Sequence, residues 1–77
     1  MSDIQTVDKL INTELLQETI NKSGLREDYL FTSLDITRQN WIDKKKGRLP
    51  FKVPEIFMLC ALLHIEDDNL KNAIFYP

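Results

Sequence analysis

The chain has one cysteine, two glycines and three prolines in 77 residues. A single thiol excludes an internal disulfide and a cysteine-based zinc site, and it fits a reduced, intracellular compartment. With so few chain breakers, 43% hydrophobic and 29% charged residues read as a globular, helical chain rather than a disordered one. The longest apolar run, Ile56 to Leu63, is far too short to span a bilayer. The opening residues Met1 to Gln5 are polar and acidic, unlike a secretion signal, so the expected location is the cytoplasm. Repeats, low-complexity tracts and domain-parting linkers are all missing, and residues 1–77 are read as a single domain. A chain this small has little room for both a substrate pocket and a catalytic constellation. Binding is the expected role, and catalysis is not.

The net charge of −2 conceals an uneven distribution. Residues 1–35 carry −4 and residues 53–77 carry −3, while residues 36–52 carry +5. The basic side chains of that middle stretch are Arg38, Lys44, Lys45, Lys46, Arg48 and Lys52, with Asp43 the single acid. Such local concentration is an electrostatic footprint for a polyanion. Lys44 to Lys46 would also suit the last turn of a helix, where cations complement the dipole. The run alone leaves both readings open.

No β-branched run alternates with polar residues, whereas helical spacing recurs along the chain. Val7, Ile11, Leu15 or Leu16, and Ile20 form a first apolar stripe that ends at Ser23-Gly24. The stripe fits one helix or two, broken near Asn12-Thr13, so residues 1–12 are either an N-terminal extension or a first helix. Glu27 and Asp28 open a second helix through Leu34, with acids where the dipole favours them. Asp35 tolerates the left-handed backbone of a tight turn, and Thr37 is a natural N-cap for a third helix, 38–46, which can bury Trp41 and the stem of Lys44 and stops at Gly47. Residues 48–51 are a loop. Pro54 suits the start of a fourth helix with Ile56, Leu59, Cys60 and Leu63 inward. Glu66, Asp67 and Asp68 start a fifth, with Leu70, Ala73 and Ile74 apolar. The expectation is an all-α bundle of five short helices.

Helices 27–34 and 38–46, joined by Asp35-Ile36-Thr37, have the proportions of a helix-turn-helix. The second begins with Arg38, able to fork onto guanine, and with Gln39 and Asn40, each able to make paired hydrogen bonds to adenine. A basic cluster suited to phosphates follows. The stretch Glu27-Asp28-Tyr29-Leu30-Phe31-Thr32-Ser33-Leu34-Asp35-Ile36-Thr37, followed by Trp41, Gly47 and Pro50, resembles the Cro/C1-type helix-turn-helix regulators with a lambda-repressor-like domain. Their pattern is Gln-x-x-Leu-Ala-x-x-x-Gly-Val-Ser, then a recognition helix ending near Glu-x-Gly. Ile56, Leu59, Cys60, Leu63 and Ile65 resemble the family's closing helices, and the likeness covers about residues 16–70.

Three positions depart from that pattern. Phe31 stands where the family has alanine, so the helices must open or repack around its ring. Asp35 replaces the turn glycine. Glu27 replaces a glutamine that in the family touches phosphate and braces the recognition helix, and an acid there opposes a phosphate contact.

The resemblance implies a small repressor or Cro-like regulator, of phage or mobile-element type, that binds an operator-like site on double-stranded DNA as a homodimer. Arg38, Gln39, Asn40 and Asp43 are the expected base readers. Thr37, Lys44, Lys45, Lys46, Arg48 and Lys52 are the expected phosphate contacts. Leu70, Ile74, Phe75 and Tyr76, within the tail 66–77, are the candidate dimer patch, although packing onto the chain's own core explains them equally well. The competing reading is a helical protein-interaction module, such as an antitoxin or anti-repressor, that keeps the fold without reading DNA. Cys60 and His64 lie one helical turn apart but lack further ligands, so no metal and no cofactor is expected. Serine or cysteine beside a recognisable base, a phosphate-cradling glycine loop and calcium-loop spacing are likewise missing.

Overall fold

Five helices account for the regular structure of residues 10–77, the part of the chain that this computed structural model describes. They are α1 (Thr13–Ser23), α2 (Glu27–Ser33), α3 (Arg38–Lys45), α4 (Val53–Leu62) and α5 (Asp68–Phe75), without a strand among the described residues. The all-α bundle is as the spacing predicts.

Each start has a local cause. Helix termini leave backbone N–H groups unpaired, and a short acceptor side chain at the cap satisfies one of them. Asn12 accepts from the Leu15 amide at 3.1 Å, Thr37 from Asn40 at 3.1 Å, and Asp67 from Asn69 at 2.9 Å. At α4 the Glu55 carboxylate reaches back to the Lys52 amide at 2.9 Å, and Pro54 sits in the first turn. The first apolar stripe therefore breaks at Asn12. Ile11 and Leu16, both buried, occupy the flanking positions of a hydrophobic staple around that cap. Val7 lies outside the described residues.

Three helices end alike. The amide two residues past the cap bonds back to the third carbonyl from the end: Ile36 to Phe31 (3.2 Å), Arg48 to Asp43 (2.8 Å) and Ile65 to Cys60 (2.8 Å). The residue between is left-handed in each case: Asp35 (φ 61°), Gly47 (φ 81°) and His64 (φ 58°). This Schellman closure leaves Leu34 and Lys46 as caps, one residue beyond the ends of α2 and α3. Only one of the three positions carries glycine. Asp35→Gly is therefore expected to leave stability within about 1 kcal/mol of wild type or raise it, since glycine enters this region without a Cβ penalty. Urea unfolding would check this, and a larger loss would mean that the Asp35 side chain contributes more than its backbone strain costs.

α1 packs against α5 and α3, and α2 against α3 and α4. The core joins Leu16, Ile20, Leu30, Trp41, Leu59 and Ile74 to residues from the connections, notably Phe51. Phe51 comes from the loop before α4 and stands edge-on to both Trp41 (6.2 Å) and Phe75 (5.6 Å). α5 is tied to the start of α1 by a backbone bond from the Asn12 amide to the Ile74 carbonyl, 2.8 Å.

That packing corrects the dimer patch read from the tail. Ile74 is 0% and Phe75 4% exposed, and Leu70 is half-buried against the core. Of the four residues only Tyr76 is open to solvent. They are apolar because α5 closes the chain's own core.

Candidate nucleic-acid interface

α3 carries the expected base readers, and its seating decides which of them face outward. Trp41 and Lys44 point inward, so the opposite side of the helix is the free one. Arg38, Gln39 and Asn40 are all exposed in the first turn, above the Thr37 cap. Gln39, Asp43 and Lys46 follow one another at helical spacing along the outer side. The Gln39 amide donates to Asp43 Oδ1 at 3.3 Å, and Arg48 lies 3.5 Å from the same oxygen. Asp43 thus orients its neighbours while half-buried itself. Ile42, between Gln39 and Lys46 in sequence, is half-buried and packs against the core.

The ring of Phe31 sits at the margin of the bundle rather than at its centre. It is half-buried at the edge of the core, and the Arg38 guanidinium lies over it, 5.4 Å from the centroid. The contact fixes Arg38 at the start of α3 by a cation–π attraction.

The six cations of residues 36–52 separate into two kinds. Lys44 is buried, its Nζ 2.5 Å from Glu55 Oε1, and it is withdrawn from the expected phosphate contacts. Burial pushes the Glu55 carboxyl upward, but the hydrogen bonds from Lys44 and the Lys52 amide outweigh it. Aided by the charges of both lysines, they hold it below its ordinary value of 4.5. Lys45 is also engaged: its Nζ donates to Glu27 Oε1 at 2.6 Å, with 19% of the side chain exposed. Arg38, Lys46, Arg48 and Lys52 are exposed.

Glu27 lies where α1, α2 and α3 meet. One carboxylate oxygen accepts from the buried Trp41 indole at 2.8 Å and from Lys45, and the other accepts from Gln17 of α1 at 3.2 Å. A single acid therefore fastens α3 to both α2 and α1. Burial raises its pKa, while hydrogen bonds from Lys45, Trp41 and Gln17, with the Lys45 charge, more than offset this and leave it lowered.

Two clefts adjoin α3. Thr13, Gln17, Lys45, Lys46 and Arg48 line a groove of about 430 Å³ between the start of α1 and the end of α3. Thr37, Asn40 and Lys52 line part of another, of about 650 Å³, beside the start of α3. Thr13 and Gln17 were not anticipated, because two polar residues on an amphipathic helix carry no distinguishing pattern.

The other sequence candidates are not brought into a site. Cys60 is buried and its thiol pKa is raised by burial, with the charge of Lys71 opposing, while His64 is exposed beyond the end of α4. Among the described residues, no group of three or more His, Cys, Asp or Glu is placed to hold a metal ion. No helix among them is long and apolar enough to cross a membrane.

Fold and surface together define an all-α domain presenting a polar helix face beside exposed cations. Comparison of the chain with protein-family models, with curated proteins and with solved structures gives no match.

Proposed function

We propose that the chain is a sequence-specific double-stranded DNA-binding regulator in which α2, the turn at Asp35 and α3 act as a helix-turn-helix. The observation that carries this reading is the exposed run Arg38-Gln39-Asn40 at the start of α3, on a helix whose other side is anchored by Trp41. These three side chains supply the forked and paired donors that major-groove edges require. Asp43 orients Gln39. Thr37, Lys46, Arg48 and Lys52 hold phosphates, with Thr13 and Gln17 completing the groove at the start of α1. A module of this size buries modest DNA surface, so two copies on a two-fold symmetric operator are expected.

Fluorescence anisotropy on DNA from beside the chain's own gene and on random duplexes tests this. Gln39→Ala or Asn40→Ala should cost about 1–3 kcal/mol on the preferred site and little on random DNA. Lys46→Ala and Arg48→Ala should weaken binding to every duplex and flatten the salt dependence by about 0.9 log units per lost contact. Equally weak wild-type binding to all sequences would remove the base-reading roles and favour the protein-interaction module.

A further inference from the structure

The three arginines of the chain are held in different ways. Arg26 and Arg48 lie against acids, Asp28 at 3.1 Å and Asp43 at 3.5 Å. Arg38 forms no ion pair among the described residues, although Asp35 stands three positions before it. Its guanidinium instead lies over Phe31, 5.4 Å from the ring centroid. That attraction is between a cation and a ring quadrupole, so it leaves open the fork of donors that a bidentate carboxylate would close. The same fork is what a guanine edge requires.

The ring is placed to hold the arginine still. Phe31 belongs to α2, half-buried and packed against the core, whereas Arg38 is exposed at the start of α3, next to Gln39 and Asn40. The contact therefore spans the turn at Asp35 and joins an anchored side chain to a solvent-facing one. An arginine loses much rotamer freedom when it docks on a base edge, and one already confined over a ring loses less at that step. A smaller apolar residue could fill the margin of the core, but it offers no face for a cation. Phe31 thus bears on how firmly Arg38 is aimed, not only on how α2 packs.

We propose that Phe31 is a specificity-determining positioning residue, whose ring holds the Arg38 guanidinium with its fork open so that Arg38 reads a guanine instead of tethering to phosphate. The inference rests on α3 being the DNA-reading helix. It adds that the preference for G·C at one base pair of each half-site depends on a residue of α2 that does not itself touch that base.

Two measurements on the full chain separate this proposal from the reading it rests on. Without DNA, the NMR signals of the Arg38 side chain should carry a ring-current shift that disappears in Phe31→Leu and persists in Phe31→Tyr, which keeps the ring. With DNA, anisotropy on half-sites varied one base pair at a time should show Arg38→Ala abolishing the preference for G·C at one position. Phe31→Leu should lower that same preference about 2- to 5-fold, the range a cation–π contact at an exposed site supplies, and Phe31→Tyr should keep it. Preferences at the positions read by Gln39 and Asn40 should stay unchanged in Phe31→Leu, which separates aiming of Arg38 from a general loosening of the fold. An Arg38 signal that Phe31→Leu does not move, or a Phe31→Leu chain with the full G·C preference, overturns the proposal and leaves α3 as the reading helix. So does a loss spread evenly over all positions, or a preference that survives Arg38→Ala. Wild-type binding without any base preference overturns both.

Discussion

Lys44→Ala is expected to cost about 3–5 kcal/mol of folding stability, because removing one partner of a buried ion pair strands the other charge. The stranded group is Glu55, whose side chain is 11% exposed beside a lysine that is 8% exposed. The Lys44 ammonium also lies 6.0 Å from the Phe51 ring centroid, at the heart of the aromatic cluster. The loss should show as a lowered denaturant midpoint with an unchanged slope. The double variant Lys44→Met, Glu55→Gln should recover much of it, since glutamine still accepts the Lys52 amide without a charge to desolvate. The pH dependence has a definite sign. Glu55 titrates lower in the folded protein than its ordinary 4.5, so its contribution is present above that pH and lost as pH falls through the folded value. The gap between wild type and Lys44→Ala should therefore close in acid. A small stability change with a uniform loss of DNA affinity would mean instead that Lys44 leaves its pocket for phosphate.

If the chain binds DNA as proposed, Glu27→Gln is expected to strengthen binding to all DNA, specific and random, and to steepen its salt dependence by about 0.9 log units if one cation joins the phosphate contacts. Wild-type Lys45 is held by Glu27, although it borders the same groove as Lys46 and Arg48. The amide keeps an acceptor for the Trp41 indole but no longer a charge for the ammonium, and the lysine is released toward the groove. Glu27→Ala separates bracing from charge: with Trp41 1% exposed, losing its acceptor should cost about 1–3 kcal/mol of stability. An unchanged salt slope in Glu27→Gln would show that Lys45 does not reach the backbone even when free. On this reading the acid moderates non-specific affinity while fixing the angle of α3.

Local chemistry made much of this chain legible. Thr37 as cap, Asp35 as left-handed residue, the stop at Gly47 and the inward set Ile56, Leu59, Cys60 and Leu63 are written in residue type and spacing. What stayed hidden depends on which segments meet. Phe51 looks like a loop residue until α5 returns to cover it with Phe75. Lys44 and Lys45 look like one basic run with Lys46, yet Glu55 lies 11 positions and Glu27 18 positions away in sequence, so the pairing partners are invisible locally. His64 gave no sign of its left-handed backbone, because histidine is only an occasional occupant of that region. The acid at position 27 was legible as an obstacle to phosphate, but its role as a brace required Trp41 and Gln17 to be seen beside it.

The backbone bond between Asn12 and Ile74 ties together the first and last helices of the described chain. Solvent can exchange the Asn12 amide proton only when this bond opens, and its acceptor belongs to a residue sealed in the core. Release of α5 thus exposes the Asn12 amide and the Leu16 side of α1 in the same event. Fraying of the two helices is therefore expected to be coupled, with the amides of α5 and of the start of α1 gaining and losing hydrogen-exchange protection together.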